Sequence, residues 1–303
     1  MHVREWRWAL LPLFHYGALF DGHDVSWDAK PMKHLILSDM DDTFLTSNKM
    51  PPADNIAAVD ALKRAGHLFA PCTGRHLGGI PVQLREAGRS DYYVCDSGAS
   101  VYDAVGTLIW SRPIEKQQAL DVFAVAKELG IEVDLYADGS VHTIADQMWI
   151  TDNAELKPSV KEYLSSIRVP FDGAFEALVD SLDVINRASL LSLTAEEMDK
   201  IMPYLAEMHD VSAVRVLPNA VEITSKGASK GSAVEAIRER LGMETSQVIV
   251  FGDSANDISM FEVAGTSVAM GNAVESCKAR ATYVTAPCDE AGVARGLEML
   301  GLI

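Results

Sequence analysis

The chain has 303 residues, 48% of them hydrophobic and 23% charged, a balance that supplies a sizeable core and excludes a disordered or low-complexity protein. Forty-three acidic side chains against 26 basic ones leave a formal charge of −17. A field of that sign repels nucleic acid and anionic membrane surfaces, so a phosphate-bearing ligand has to meet a local positive site.

The opening stretch, MHVREWRWALLPLFHYGALF, sets basic and histidine side chains ahead of an apolar run too short to span a bilayer. No A-x-A-like cleavage site follows in DGHDVSWDAKP. Residues 1–32 are therefore expected to be an N-terminal extension without catalytic function; a docked amphipathic segment and an export signal are the alternatives. Cys72, Cys95, Cys277 and Cys288 show neither a C-x-x-C pair nor a cysteine–histidine metal spacing. In a chain of this size they need no disulfide role, and a reducing compartment, the cytoplasm, is expected.

From Lys33 onward short apolar runs alternate with helical periods: HLILSDM, then ADNIAAVDALKRAGH, LFAPCTGR and YYVCDSGA. The helix carries Asp54 early, Ile56, Val59 and Leu62 at helical spacing, and Gly66 as its stop. The first strand ends in Asp39, Asp41 and Asp42. Unit charges about 4 Å apart interact by roughly 4 kcal/mol at a surface-like dielectric, so this crowding calls for a cation or solvent to relieve it.

The middle of the chain mixes helices with alternating strands, and LYADGSVH reads as a hairpin with Asp138–Gly139 at its turn. The strand–helix alternation then returns in SAVEAIRERLG, QVIVFGDSANDISMFEVAG and TSVAMGNAVESCKARA. Both ends thus read as one doubly wound, Rossmann-like parallel α/β sheet (residues 33–102 and 227–303), with an α+β domain (103–226) inserted into it.

In an open parallel sheet, ligands bind outside the carboxyl ends of the strands. There the sequence places Asp39 and Asp41 after the first strand, Thr73-Gly74-Arg75 after the second, and Gly252-Asp253-Ser254-Ala255-Asn256-Asp257 after QVIVF, while Lys230 precedes the SAVEAI helix. Each motif alone is weak. Together they supply hard oxygen ligands, a hydroxyl and a cation, the set needed to bind a magnesium ion and a phosphate.

These motifs resemble those of the haloacid dehalogenase superfamily phosphatases, in the Cof-like branch with a type IIB cap. SDMDDTFLTSNKM is similar to the first motif, CTGR to the second, EITSKGASKGSAVEAI to the lysine motif and VFGDSANDISMFEVAGTSVAMGNA to the fourth. CDSGASVYD is similar to the branch's Asn-Gly-Ala segment, with Ser97 in place of Asn, and Asp42 stands where Gly is usual. The resemblance implies Asp39 as nucleophile and Asp41 as general acid and base. It further implies Mg2+ held by Asp39, Asp253 and the backbone carbonyl of Asp41, with Asp257 orienting the metal shell. Thr73, Gly74, Lys230 and Asn256 would bind phosphate, and Arg75 is a possible substrate ligand. The implied activity is hydrolysis of phosphate monoesters of small metabolites, sugar phosphates favoured, through an aspartyl-phosphate. The expected partner is a small phosphorylated metabolite, with no nucleic acid and no membrane, and the oligomeric state is left open. A phosphomutase with a related cap and a catalytically silent sensor of phosphorylated metabolites are the competing readings.

Overall fold

The computed structural model describes residues 32–303; the expectation for residues 1–31 lies outside the described residues. Strands β1 (Leu35–Ser38) and β2 (Leu68–Pro71) are joined through the helix Ala53–Arg64. An antiparallel meander of β3 (Tyr92–Cys95), β4 (Ser100–Asp103) and β5 (Leu108–Ser111) follows. The next segment holds β6 (Glu132–Ala137), β7 (Ser140–Ile144), β8 (Arg168–Phe171), β9 (Ile185–Leu191), β10 (Val211–Leu217) and β11 (Ala220–Ser225). The chain then closes with β12 (Val248–Gly252), β13 (Thr266–Ala269) and β14 (Tyr283–Val284).

The first sheet is parallel throughout, in the order β14-β13-β12-β1-β2. Its inner strands β1 and β12 are buried along their whole length, which is why LILS and VIVFG read as near-continuous apolar runs rather than alternating ones. The strand sequence runs one way from β1 to β2 and the other way from β12 to β14. The reversal between β1 and β12 is where such a sheet opens a crevice at its carboxyl end. The helix Ala53–Arg64 buries Ala58, Val59 and Leu62 and ends just before Gly66, whose φ of 86° suits glycine.

The second sheet, in the order β10-β11-β9-β6-β7-β8, is antiparallel except for β7 with β8. Asp138 and Gly139 make the turn of the β6–β7 hairpin: both have positive φ, 51° and 75°, the pairing of a type I′ turn that matches strand twist. Strand alternation decides which way each residue points. Val133, Leu135, Ala188, Leu190, Val221 and Ile223 enter a hydrophobic cluster spanning Ile114 to Ile223, separate from the cluster built by residues 35–102 and 233–297. Leu108, Ile109 and Trp110 pack on the latter, so the hairpin β4–β5 carries the chain past residue 103 before the second cluster begins.

One buried ionic cluster lies in the second sheet. Arg168 Nη2 sits 2.5 Å from Glu132 and 2.6 Å from Asp134, and Thr151 donates its backbone N–H to Glu132 at 3.1 Å. One guanidinium cannot neutralise two carboxylates at full strength. Burial, with repulsion from Asp134 against the pull of Arg168, pushes the Glu132 carboxyl up from 4.5 to about 7.

Gly98 fixes how the meander meets the later half of the chain. Its φ is 90°, and a Cβ there would lie 2.2 Å from the Ser229 carbonyl and 2.4 Å from Lys230 N. Gly98→Ala is expected to lower stability by about 2–3 kcal/mol, because strain and overlap act together. A melting temperature within about 1 °C of wild type would refute that account. For Glu132, a carboxyl held above its unfolded value stays protonated in the folded state while the unfolded chain ionises, so wild type loses stability as pH rises from about 4.5 to about 7 through this group. Glu132→Gln removes the dependence. Relative to wild type it should gain stability between about pH 5 and about pH 8 in urea unfolding, and a pH-independent difference would show that the ionisation does not matter.

Candidate active site

Asp39 is the first residue beyond β1 and still joins the ladder, donating its N–H to Phe251 O at 2.9 Å. Asp253 directly follows β12. The two carboxylates therefore flank the reversal point of the sheet because they end its two central strands. The backbone turns sharply after Asp39: Asp42 takes φ 62°, ψ 12°. Asp is among the residues that tolerate that left-handed conformation, so the position that departs from the usual glycine is accommodated. Its side chain pairs with Lys49 at 2.8 Å, and its carbonyl accepts from Asn272.

Lys230 is the anchor of the site. It is the first residue of the helix Lys230–Leu241, which is capped by Ser229 through its bond with Ser232 N. Its ammonium is buried and donates to Asp39 Oδ1 and to Asp257 Oδ1, both at 2.6 Å. Asp257 uses its other oxygen to accept from the backbone N–H groups of Asp253 and Ser254 at 2.9 and 3.0 Å. It thus ties the lysine to the loop after β12. Although burial opposes a charged amine, Asp257 and Asp39 hold Lys230 well above its usual pKa.

The carboxylates of Asp39, Asp253 and Asp257 present oxygens within 4.8 Å of one another. Burial, then repulsion from neighbouring aspartates, pushes Asp39 above the normal carboxylate range despite Lys230, and burial with Asp257 does the same to Asp253. Thr43 donates to Asp253 Oδ1 at 2.9 Å. Among the described residues, Asp39 Oδ2 and Asp253 Oδ2 accept no hydrogen bond. Two uncommitted hard oxygens among crowded, half-neutralised acids are a donor set that fits a magnesium ion.

Asp41 is held differently. Arg75 grips it in a two-pronged ion pair, Nε to Oδ2 at 2.9 Å and Nη2 to Oδ1 at 2.7 Å, and donates Nη1 to Gly79 O at 2.9 Å. Against the effect of burial, Arg75 and then Lys49 hold the Asp41 carboxyl below its usual range. Thr73 is buried and its hydroxyl accepts from Arg75 N at 3.1 Å, which leaves the hydroxyl proton free to donate outward. Gly74 lies under the second sheet, where a Cβ would come 3.2 Å from Ser97 Oγ and 3.8 Å from Glu222. Of the residues expected at the phosphate, Asn256 stands apart: it is exposed and its side-chain oxygen accepts from Ser254 Oγ at 2.8 Å.

Ser97, from the CDSGASVYD motif, leads to further residues that no motif announces. Ser97, at φ 60°, donates to Glu222 Oε2 at 2.7 Å, and Glu222 is paired with Arg187, whose guanidinium lies 3.7 Å from the centre of the Tyr136 ring. Asn186 donates to Asp96 at 3.2 Å. For Arg187 and Glu222 the signal was a single charged residue set among the apolar residues of NRASLL and AVEITS, a pattern that marks a strand with one polar face turned to something specific.

The sequence profile of the haloacid dehalogenase-like hydrolase family matches residues 36–297. The chain is 26% identical to phosphatase YwpJ of Bacillus subtilis, over 88% of this chain and 99% of that one. It is 25% identical to the 5-amino-6-(5-phospho-D-ribitylamino)uracil phosphatase YwtE of the same organism, over 88% and 97%. Among solved structures, TM0651 from Thermotoga maritima superposes with a TM-score of 0.76 at 26% identity, covering 88% of this chain and 97% of that one. The chain belongs to the haloacid dehalogenase-like hydrolase family, among that family's phosphatases.

Proposed function

We propose that the protein is a magnesium-dependent phosphatase that cleaves phosphate monoesters of small metabolites through an aspartyl-phosphate on Asp39. The observation that carries this reading is the placement of Asp39, gripped by Lys230 at the reversal point of the sheet, with a second, separately held carboxylate two residues on. Residues 33–102 and 227–303 form the catalytic domain in this proposal, 103–226 an inserted cap over the site, and 1–32 an extension. Four buried cysteines, none in a disulfide, support a reducing compartment, the cytoplasm.

Asp39 attacks phosphorus with one carboxylate oxygen as the ester P–O bond breaks, and Asp41 gives its proton to the departing alkoxide. Water then attacks the acyl phosphate, yields a proton to Asp41, and Asp39 is regenerated with release of inorganic phosphate. Lys230 and the Thr73 hydroxyl stabilise the charge that builds on the phosphoryl oxygens. Held by Asp39, Asp253 and the Asp41 carbonyl, a magnesium ion would screen the anionic nucleophile from the anionic ester. Arg75 keeps Asp41 ionised and aimed, the state suited to accepting the proton from water, and it must loosen its grip for Asp41 to act as an acid. Sugar phosphates are the class that the family resemblance favours, and YwtE, named for a phosphorylated ribitylamino compound, supports small metabolites.

Phosphate release from a panel of monoesters, with and without magnesium, tests the assignment. Asp39→Asn is expected to fold and to lose turnover to the background rate, since an amide is a poor nucleophile and a poor magnesium ligand; near wild-type release would refute the mechanism. Arg75→Lys keeps a charge but loses the fork. It should lower kcat about 10- to 100-fold with a smaller change in KM, whereas a raised KM at unchanged kcat would make Arg75 a substrate ligand instead.

A further inference from the structure

A cavity of about 630 Å³ opens above Asp41, Gly74 and Arg75, within the range that holds a ligand larger than a simple sugar. Its roof is the polar face of the second sheet, and the strand register orders that face into three rows. The first row, Tyr136 and Arg187, is paired across β6 and β9 and touches the catalytic half through Ser97. The second row sets Asp134, Ser189 and Glu222 side by side across β6, β9 and β11. The third row sets Glu132, Leu191 and Ala220 side by side, with Glu132 held by Arg168.

Leu191 lies four steps along β9 from Arg187, about 13 Å at the rise of a strand. Beyond Ser189 the β9 and β11 side of this face turns apolar, while Glu132 and Arg168 keep the β6 side charged. At the far end Leu191 and Ala220 belong to a small hydrophobic cluster with Ala154, Leu156 and Leu164, distinct from both cores. The helix Pro158–Ile167 adds Val160, Tyr163 and Leu164 to the wall, spaced i, i+3 and i+4 and hence on one face. Val216 and Leu217 line the same end while 47% and 41% exposed, apolar surface that a bound group would cover.

Resting on the phosphatase reading, we propose that the preferred substrate has a two-part leaving group: hydroxyl or amine donors within the first few atoms beyond the ester, facing Asp134, Ser189 and Glu222, and an apolar ring about 7 Å farther on, seated against Leu164, Leu191 and Ala220. A bare sugar phosphate fills the polar rows alone and leaves the apolar wall wet. A phosphate ester of a small aromatic alcohol does the reverse.

Matched esters separate these cases. Flavin mononucleotide and uridine 5′-monophosphate carry a ring beyond a polyol or sugar; ribitol 5-phosphate and ribose 5-phosphate are their ring-less counterparts. At least one ring-bearing ester is expected to exceed its counterpart about tenfold or more in kcat/KM, and Leu164→Gln should reduce that ratio while the variant remains folded by circular dichroism. Reading a ratio cancels any general loss of active enzyme. Acetyl phosphate, which has no body to place in the cavity, reports the chemistry alone. Its turnover with no advantage for either ring-bearing ester overturns this inference and leaves the phosphatase reading intact. No phosphate release from any of the five compounds overturns both.

Discussion

The arrangement depends on one buried ammonium shared by two carboxylates. Lys230 is 2% exposed and Asp257 fully buried, so each charge has left water at a cost that only close pairing offsets, and removing one partner strands the others. That constraint reaches outward. Asp257 must accept from the loop after β12, which sets Asp253; the helix beginning at Lys230 must start where Gly98 allows its backbone to approach; and Asp39 must leave β1 in register with Phe251. Asp39, the lysine and the loop are held by one set of contacts, so the site cannot be loosened at one point alone.

The meeting of the two halves is built on local strain. Asp96, Ser97 and Gly98 follow one another with φ of 53°, 60° and 90°, and each non-glycine residue in that region costs of order 1–3 kcal/mol. The turn they form delivers Asp96 to Asn186 and Ser97 to Glu222. Serine at 97, where the family usually has Asn, has a hydroxyl short enough to sit against Gly74 while reaching the carboxylate. The residue exchange therefore goes with a particular acceptor on β11 rather than leaving a gap.

Local signals were legible in the sequence because the motifs of Asp39, Thr73 and Asp253 each follow a strand whose continuous apolar run announces it. The rule that parallel strands converge at their carboxyl ends placed Asp39, Thr73, Asp253 and Asp257 together, while Lys230, at the start of a helix, was joined to them by its motif and by the family resemblance. The Asp138–Gly139 hairpin and the stop at Gly66 followed from backbone chemistry. The Arg75 grip on Asp41 was not legible, since nothing local distinguishes a guanidinium that orients a carboxylate from one that binds substrate. Nor was the row Asp134, Ser189 and Glu222 legible: it exists only once strands from three parts of the chain are registered, and register is a tertiary property. The exposure of Asn256 is of the same kind, decided by how one short turn rolls after Gly252.

The position of β1 has a consequence for biosynthesis. Its partner on one side, β12, lies more than two hundred residues downstream, since Leu35 pairs with Val248, whereas every pairing in the second sheet joins strands between residues 132 and 225. As the chain leaves the ribosome, the inserted segment can close its own hydrogen bonds while β1 still shows a bare, apolar edge. Non-local closure of this sort is slow, and the waiting edge is the kind of surface that chaperones cover and aggregation exploits. The strand that presents Asp39 is thus the first made of the described strands and among the last completed, so its apolar edge stays open until β12 emerges.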